Sequence, residues 1–243
     1  YQPGDETRFM NWRLSARTGH LQMKVFHEER RPTVVMLIDR RNAMRFGTRK
    51  RLKLTQALRT AITIAASALQ TNKAVTTLLL DDASYWSGTE STEQGVLNLL
   101  FRAAAAAPPL QSVEKQPGLL DALDLLLEKR IPGSNIYLLS DYIDITDEHR
   151  SRLVQLTTDC RLSAFLFHDP AEFQLPKAGR LQFAAGNGPL DLDTSDPLLQ
   201  SRYQEMAQDH FSRRRSIFNE LGIHCRFIST LEDELADVEM ATQ

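Results

Sequence analysis

The sequence predicts an α/β protein: a doubly wound, mostly parallel sheet flanked by helices, Rossmann-like, with a β-hairpin insertion. Three observations predict it. Short runs rich in Val, Ile and Leu alternate with longer segments of helical apolar spacing along the 243 residues. The runs are almost continuously apolar, as strands buried on both faces are. Two of them, Pro32 to Asp39 and Ile136 to Asp141, end on an aspartate, at the edge where open α/β sheets gather ligands.

Residues 1–31 are polar and Arg-rich, and read as an extension packed on the main body through Trp12, Phe26 and the series Arg8, Arg13, Arg17. Within them Leu21 to Phe26 alternates as an edge strand does. The domain proper is placed at 32–243, and its first strand ends at Asp39. Arg49 to Leu69 has Leu52, Ala57, Leu58, Ile62, Ala65, Ala66 and Leu69 at helical spacing, with Thr48 as N-cap. Ala74 to Leu80 is a second strand, and Tyr85 to Gly88 a short strand and turn. Thr92 to Ala107 is helical and stopped by Pro108-Pro109. Gly118 to Lys129 carries five leucines on one broad face. After the strand to Asp141, Thr146 to Leu156 is helical, with Thr146 as N-cap and Asp147 and Glu148 in the first turn. Arg161 to His168 is another buried strand.

The insertion, about 170–195, is rich in Pro and Gly, and forms a hairpin turning at Gly186-Asn187-Gly188. Pro197 to Leu221 is a long helix with a charged outer face, ended by Gly222. Ile223 to Ser229 is the last strand, and Leu231 starts a last helix. Right-handed crossovers bring the ends of all parallel strands to one edge. Asp39, Asp141 and the pair His168-Asp169 are therefore expected there together.

Composition narrows the function. A net charge of -2 gives no global attraction to nucleic acid or to an anionic membrane. The two cysteines, Cys160 and Cys225, lie in apolar stretches and read as small buried hydrophobes in a reducing, cytoplasmic compartment. No apolar run reaches the roughly 18 residues of a membrane span. The chain begins at Tyr1 rather than Met, so residues upstream are expected, and any membrane association would come through them.

A strand-end Asp followed by small hydroxyl residues would suggest a cation site, but Asp39 is followed by Arg40 and Arg41. Seven basic residues (Arg40, Arg41, Arg45, Arg49, Lys50, Arg51, Lys53) lie between positions 40 and 53. Cations at a helix start oppose the helix dipole, so stability alone does not account for them. They read as a docking surface for an acidic partner. His168-Asp169 lacks a nucleophile in an elbow motif, and reads as a hydrogen-bonded strand end. Gly186-Asn187-Gly188 lacks the Lys-Ser/Thr of a phosphate loop.

The opening run from Tyr1-Gln-Pro-Gly-Asp5 through Trp12 to Ala16-Arg17-Thr18-Gly19 resembles the start of the bacterial family called domain of unknown function 58. The likeness continues through Glu28 to Pro32, the strand to Asp39, Met44-Arg45-Phe46-Gly47, and Ser140-Asp141-Tyr142-Ile143-Asp144. It extends to the Asp169-Pro170, Leu175-Pro176 and Gly179 insertion. The resemblance implies a von Willebrand factor type A-like fold. It also implies a partner, a MoxR-type AAA+ ATPase, with which such proteins are thought to mature or activate a client protein complex.

A metal-ion-dependent adhesion site in that fold takes Asp-x-Ser-x-Ser after the first strand, a Thr from a later loop and an Asp after the fourth strand. Mg²⁺ prefers six hard oxygens, so carboxylates and hydroxyls suit it. Here the two carboxylates are Asp39 and Asp141. The serine positions hold Arg41 and Ala43, and the loop Glu114 to Gly118 offers no Thr. The expectation is a degenerate, metal-free site without cofactor, in which Arg41 or a neighbour pairs with Asp39 and Asp141. The resulting reading is a non-catalytic adaptor that binds protein, not nucleic acid. Its contact surface is placed at Asp39, Arg41, Met44, Arg45, Asp141 and Asp144. The rival is a metal-dependent hydrolase or nuclease that uses Asp39, Asp141 and Asp144.

Overall fold

The computed structural model describes residues 16–17, 32–81, 84–105, 118–185 and 188–233. The chain divides into two compact units, residues 1–31 and 32–243. In the first, only the helical pair Ala16 and Arg17 is described, so the anchoring and edge-strand expectations lie outside the described residues. The same holds for the turn at 186–187, the loop 106–117 and the last helix beyond Asp233.

The second unit is built on a six-stranded sheet. Its strands are β1 (Thr33–Asp39), β2 (Ala74–Leu80), β3 (Ser84–Trp86), β4 (Asn135–Ser140), β5 (Arg161–His168) and, after the hairpin, β8 (His224–Ser229). They lie in the order β3-β2-β1-β4-β5-β8, with β3 antiparallel and all other neighbours parallel. The order reverses between β1 and β4, where doubly wound sheets open a crevice. The hairpin β6 (Arg180–Ala185) and β7 (Gly188–Asp193) forms a separate two-stranded sheet, at the expected insertion.

The helices are α1 (Lys53–Gln70), α2 (Glu93–Ala104), α3 (Leu119–Lys129), α4 (Arg150–Thr157) and α5 (Pro197–Glu220). Thr48 does not cap α1, because four residues intervene before the helix begins at Lys53. Those residues fold tightly under Gly47, where a Cβ would lie 2.2 Å from the Arg51 carbonyl oxygen. Ahead of α4 the segment Asp147–His149 winds as a 3-10 turn, so the α-helix starts later than its acidic first turn suggests.

Side chains alternate along a strand, so β1 feeds two cores. Val34, Met36 and Ile38 face Ala57, Ala61 and Ile64 of α1 and Val96 and Leu99 of α2. Val35 and Leu37 face Leu119, Leu123 and Leu126 of α3, with Leu153 and Leu156 of α4 and Phe218 of α5. The buried face of α1 is rich in alanine (Ala57, Ala61, Ala65, Ala68), which leaves little side chain between helix and sheet. By contrast α5 buries only Ile217 and Phe218 fully. Among the described residues no helix is long and apolar enough to cross a membrane.

Leu37 sits at the centre of the sheet with no exposed surface. Leu37→Ala is expected to lower the free energy of urea unfolding by about 3 kcal/mol, through lost burial and the cavity left behind. A loss below about 1 kcal/mol would contradict the two-sided core.

Candidate functional site

The β1–β4 register pairs Ile38 with Leu139, which sets Asp39 beside Ser140 on the α3 face of the sheet. Ser140 donates its hydroxyl to Asp39 Oδ2 at 2.6 Å. Arg41 then folds back over Asp39. Its backbone N–H and Nε both donate to Oδ1 at 3.0 Å, and Nη2 donates to Oδ2 at 2.7 Å. The far side of the same guanidinium grips Asp144, with Nη1 at 2.6 Å from Oδ2 and Nη2 at 3.0 Å from Oδ1. One planar cation therefore holds two carboxylates in two-pronged pairs, the geometry that suits arginine and not lysine.

Asp144 has a second task. Helix α3 starts after Gly118, which has no side chain to cap it, and the Leu119 N–H donates to Asp144 Oδ2 at 2.9 Å. A carboxylate there also complements the helix dipole. The turn that delivers Asp144 pivots on Tyr142, whose φ of 52° lies in the left-handed region. For a bulky residue this costs of order 1–3 kcal/mol. Full burial of the ring, an edge contact to Phe218 at 4.8 Å and a 2.6 Å hydrogen bond to the Leu138 carbonyl offset it.

The expected pairing of Arg41 with Asp141 is corrected by this register. Asp141 is one residue past Ser140, so it points to the opposite face, toward α1. There Lys53 Nζ donates to Asp141 Oδ2 at 2.7 Å and to Glu172 Oε1 at 2.6 Å. Lys53 and Asp141 are both 1% exposed, a buried ion pair at the first residue of α1. Arg214 from α5 donates to the Asp141 carbonyl at 3.1 Å. Lys53 appeared in the sequence only as one member of a basic run. The signal for its role was a cation placed where the helix dipole disfavours it.

Asp169, at the end of β5, is held differently. It accepts from the hydroxyls of Thr48 and Thr230, each at 2.6 Å, and from the N–H groups of Thr48 and Ala171, each at 3.0 Å. Burial alone would raise its carboxyl, but these donors hold it below the usual range. The neighbouring His168 ring packs between Phe173 at 5.3 Å and Phe211 at 5.4 Å. Its Nδ1 is buried without a hydrogen-bond partner, so aromatic packing and not a hydrogen bond fixes it.

The basic run does not form one surface. Arg40 is buried and donates to the carbonyls of Arg102 and Ala105 at the end of α2. Lys50 and Arg51 pair with Asp233. Met44, expected at the contact surface, has no exposed area and anchors its 3-10 turn in the α1 core. The exposed apolar residues here are Phe46 at 43% and Ile143 at 58%. With Asn42, Ala43, Arg45, Lys53 and Glu172 they line a cleft of about 490 Å³ that takes in the Lys53–Glu172 ion pair. Sequence reasoning assigned neither Phe46 nor Ile143 a role; an apolar residue in a polar strand-end loop was the available signal. Among the described residues no three His, Cys, Asp or Glu side chains converge where they could share a metal ion.

Burial pushes the Asp144 carboxyl up, but the Arg41 hydrogen bonds and charge, with the Leu119 N–H, outweigh it and hold the group below the usual range. A carboxyl depressed on folding adds stability that is complete above its unfolded value, about 3.9, and is lost as pH falls through the folded value. Asp144→Asn should therefore flatten the acid limb of the stability–pH curve below about pH 4. Removing the guanidinium leaves two carboxylates facing each other. Arg41→Ala should cost about 3 kcal/mol in urea unfolding at neutral pH, and Arg41→Lys should recover only part. Equal stability of the Ala and wild-type proteins would contradict the bridge.

The family model described as "Protein of unknown function DUF58" matches residues 1–213. Uncharacterised proteins from Mycobacterium bovis and Mycobacterium tuberculosis are 23% identical over 241 residues, covering 98% of this chain and 75% of theirs. Among solved structures, a conserved hypothetical protein, BatB, from Bacteroides thetaiotaomicron aligns with a TM-score of 0.56 at 12% identity, covering 87% of this chain and 96% of that one. A von Willebrand factor type A structure from Catenulispora acidiphila aligns with a TM-score of 0.42 at 12% identity, over 74% of this chain and 43% of that one. With its six-stranded, mostly parallel sheet between two helical layers, the chain shares the fold of the BatB structure and belongs to the DUF58 family of proteins of unknown function.

Proposed function

We propose that this protein is a non-catalytic adaptor whose strand-end edge docks another protein. The observation that carries the reading is the occupation of the strand-end carboxylates by the protein's own cations. Arg41 engages both oxygens of Asp39 and of Asp144, and Lys53 engages Asp141. A divalent cation needs those oxygens, and a guanidinium puts a permanent positive charge in its place. The donor set is a poor fit to Mg²⁺, and the edge reads as a degenerate, metal-free adhesion site. The same pairing leaves no free carboxylate in the cluster to act as a general base. What remains above it is a surface for contact, with exposed Phe46 and Ile143 beside a charged rim.

By family resemblance the partner is a MoxR-type AAA+ ATPase in the cytoplasm, the adaptor linking it to a client complex. Two features support a docking role for this edge in particular. Its backbone is held by internal ion pairs, so little ordering is needed on binding. Its exposed apolar residues, Phe46 and Ile143, line one cleft together, and bulky side chains of this kind carry much of the energy of an interface.

Affinity capture from the native host, with ATP present, tests the reading. A MoxR-type ATPase should be recovered by the wild-type protein. It should be lost with the double variant Phe46→Ser, Ile143→Ser, whose thermal midpoint should be unchanged because both side chains are exposed. Failure to recover any AAA+ ATPase counts against the adaptor role. Phosphodiesterase or phosphatase turnover with Mn²⁺, abolished by Asp39→Ala, would replace it with the hydrolase reading.

A further inference from the structure

The loop 42–49 and the segment 170–177 wall two neighbouring clefts. One is the apolar cleft of Phe46 and Ile143. The other, of about 390 Å³, is lined by Thr48, Arg49, Pro170, Ala171, Gln174 and Lys177, among others. Arg49 and Lys177 are exposed, and among the described residues neither has a carboxylate partner. Their neighbours differ: Arg41, Lys50, Arg51 and Lys53 are paired with carboxylates, and Arg40 with backbone carbonyls. Asp169, which holds the adjacent Thr48, makes no ion pair with Arg49; its oxygens accept from two hydroxyls and two N–H groups. Arg45, on the apolar cleft, makes one bond of 3.3 Å to the Arg40 carbonyl and keeps its charge free. Three unpaired cations on these two segments thus accompany two exposed apolar side chains, Phe46 on the first and Ile143 on the turn after β4.

We propose that this double cleft takes an extended acidic segment of a partner protein. A bulky apolar side chain of the segment lies against Phe46 and Ile143, and flanking carboxylates pair with Arg45, Arg49 and Lys177. The proposal rests on the docking reading above and adds the partner's chemistry. Charge complementarity of this kind sets partner choice and association rate more than raw affinity, and it fades with salt. On an extended segment every second side chain shares a face, so carboxylates two positions either side of the apolar residue meet the same surface with it.

The probe is a fluorescein-labelled synthetic peptide with one leucine flanked by glutamates, compared with the same peptide carrying lysines in their place. Anisotropy titrations use the full chain. The glutamate peptide should saturate, and its affinity should fall as salt rises, while the lysine peptide should not bind. The double variant Arg49→Glu, Lys177→Glu should weaken binding by about tenfold or more with an unchanged thermal midpoint. Both positions are exposed, so folding is not at stake. Absent binding, equal binding of the two peptides, or an affinity unmoved by the charge reversal would each overturn the proposal. ATPase capture that survives the charge reversal, with the peptide unbound, would overturn the acidic-segment chemistry and leave the docking role standing.

Discussion

Two aspartates brought together at the end of a buried sheet repel each other unless something positive lies between them, and the arrangement of this edge follows from what that is. Here it is Arg41, four of whose contacts go to the carboxylates of Asp39 and Asp144. The guanidinium ties the end of β1 to the turn after β4. Through Asp144 and the Leu119 N–H, it also ties that turn to the start of α3. Desolvating these groups is costly, so the cluster is better viewed as a device that fixes geometry than as a source of net stability. Lys53 does the same on the other face, joining α1 to Asp141 and Glu172. The strand-end edge is thus cross-linked on both sides of the sheet by internal cations.

Most of the architecture was legible in the sequence because parallel strands buried on both faces are almost continuously apolar, and β1, β2, β4 and β5 are all of that kind. The convergence of Asp39 and Asp141 on one edge was legible too. Which face each occupies was not, since this depends on a one-residue offset in the β1–β4 register that apolar runs do not encode. That offset sends Asp141 to Lys53 and leaves Arg41 to Asp144. Helix starts were misjudged where long-range bonds claimed the capping residue. Thr48 looks like an N-cap locally, but its hydroxyl and N–H both go to Asp169, 121 positions away. Met44 looked like a surface contact because it stands in a charged loop, yet that loop is short enough for the side chain to reach the α1 core.

The cations of this edge do different work, and Lys50 and Arg51 are already paired with Asp233. Arg40, Arg41 and Lys53 are buried or nearly so and hold the fold together at the strand ends. Arg45, Arg49 and Lys177 keep their charge available around Phe46 and Ile143. Exposed apolar side chains beside a braced strand-end edge, with unpaired cations on the same segments, suit a recognition surface. Its rigidity and its charge then come from different residues, so each can be altered without the other.

The central claim is that a guanidinium stands where a cation would otherwise sit, and calorimetric titration with Mg²⁺ or Mn²⁺ tests it most directly. The wild-type protein should show no saturable heat at micromolar metal, because Arg41 already engages the Asp39 and Asp144 oxygens. Micromolar binding of either ion, abolished by Asp39→Ala, would contradict the account.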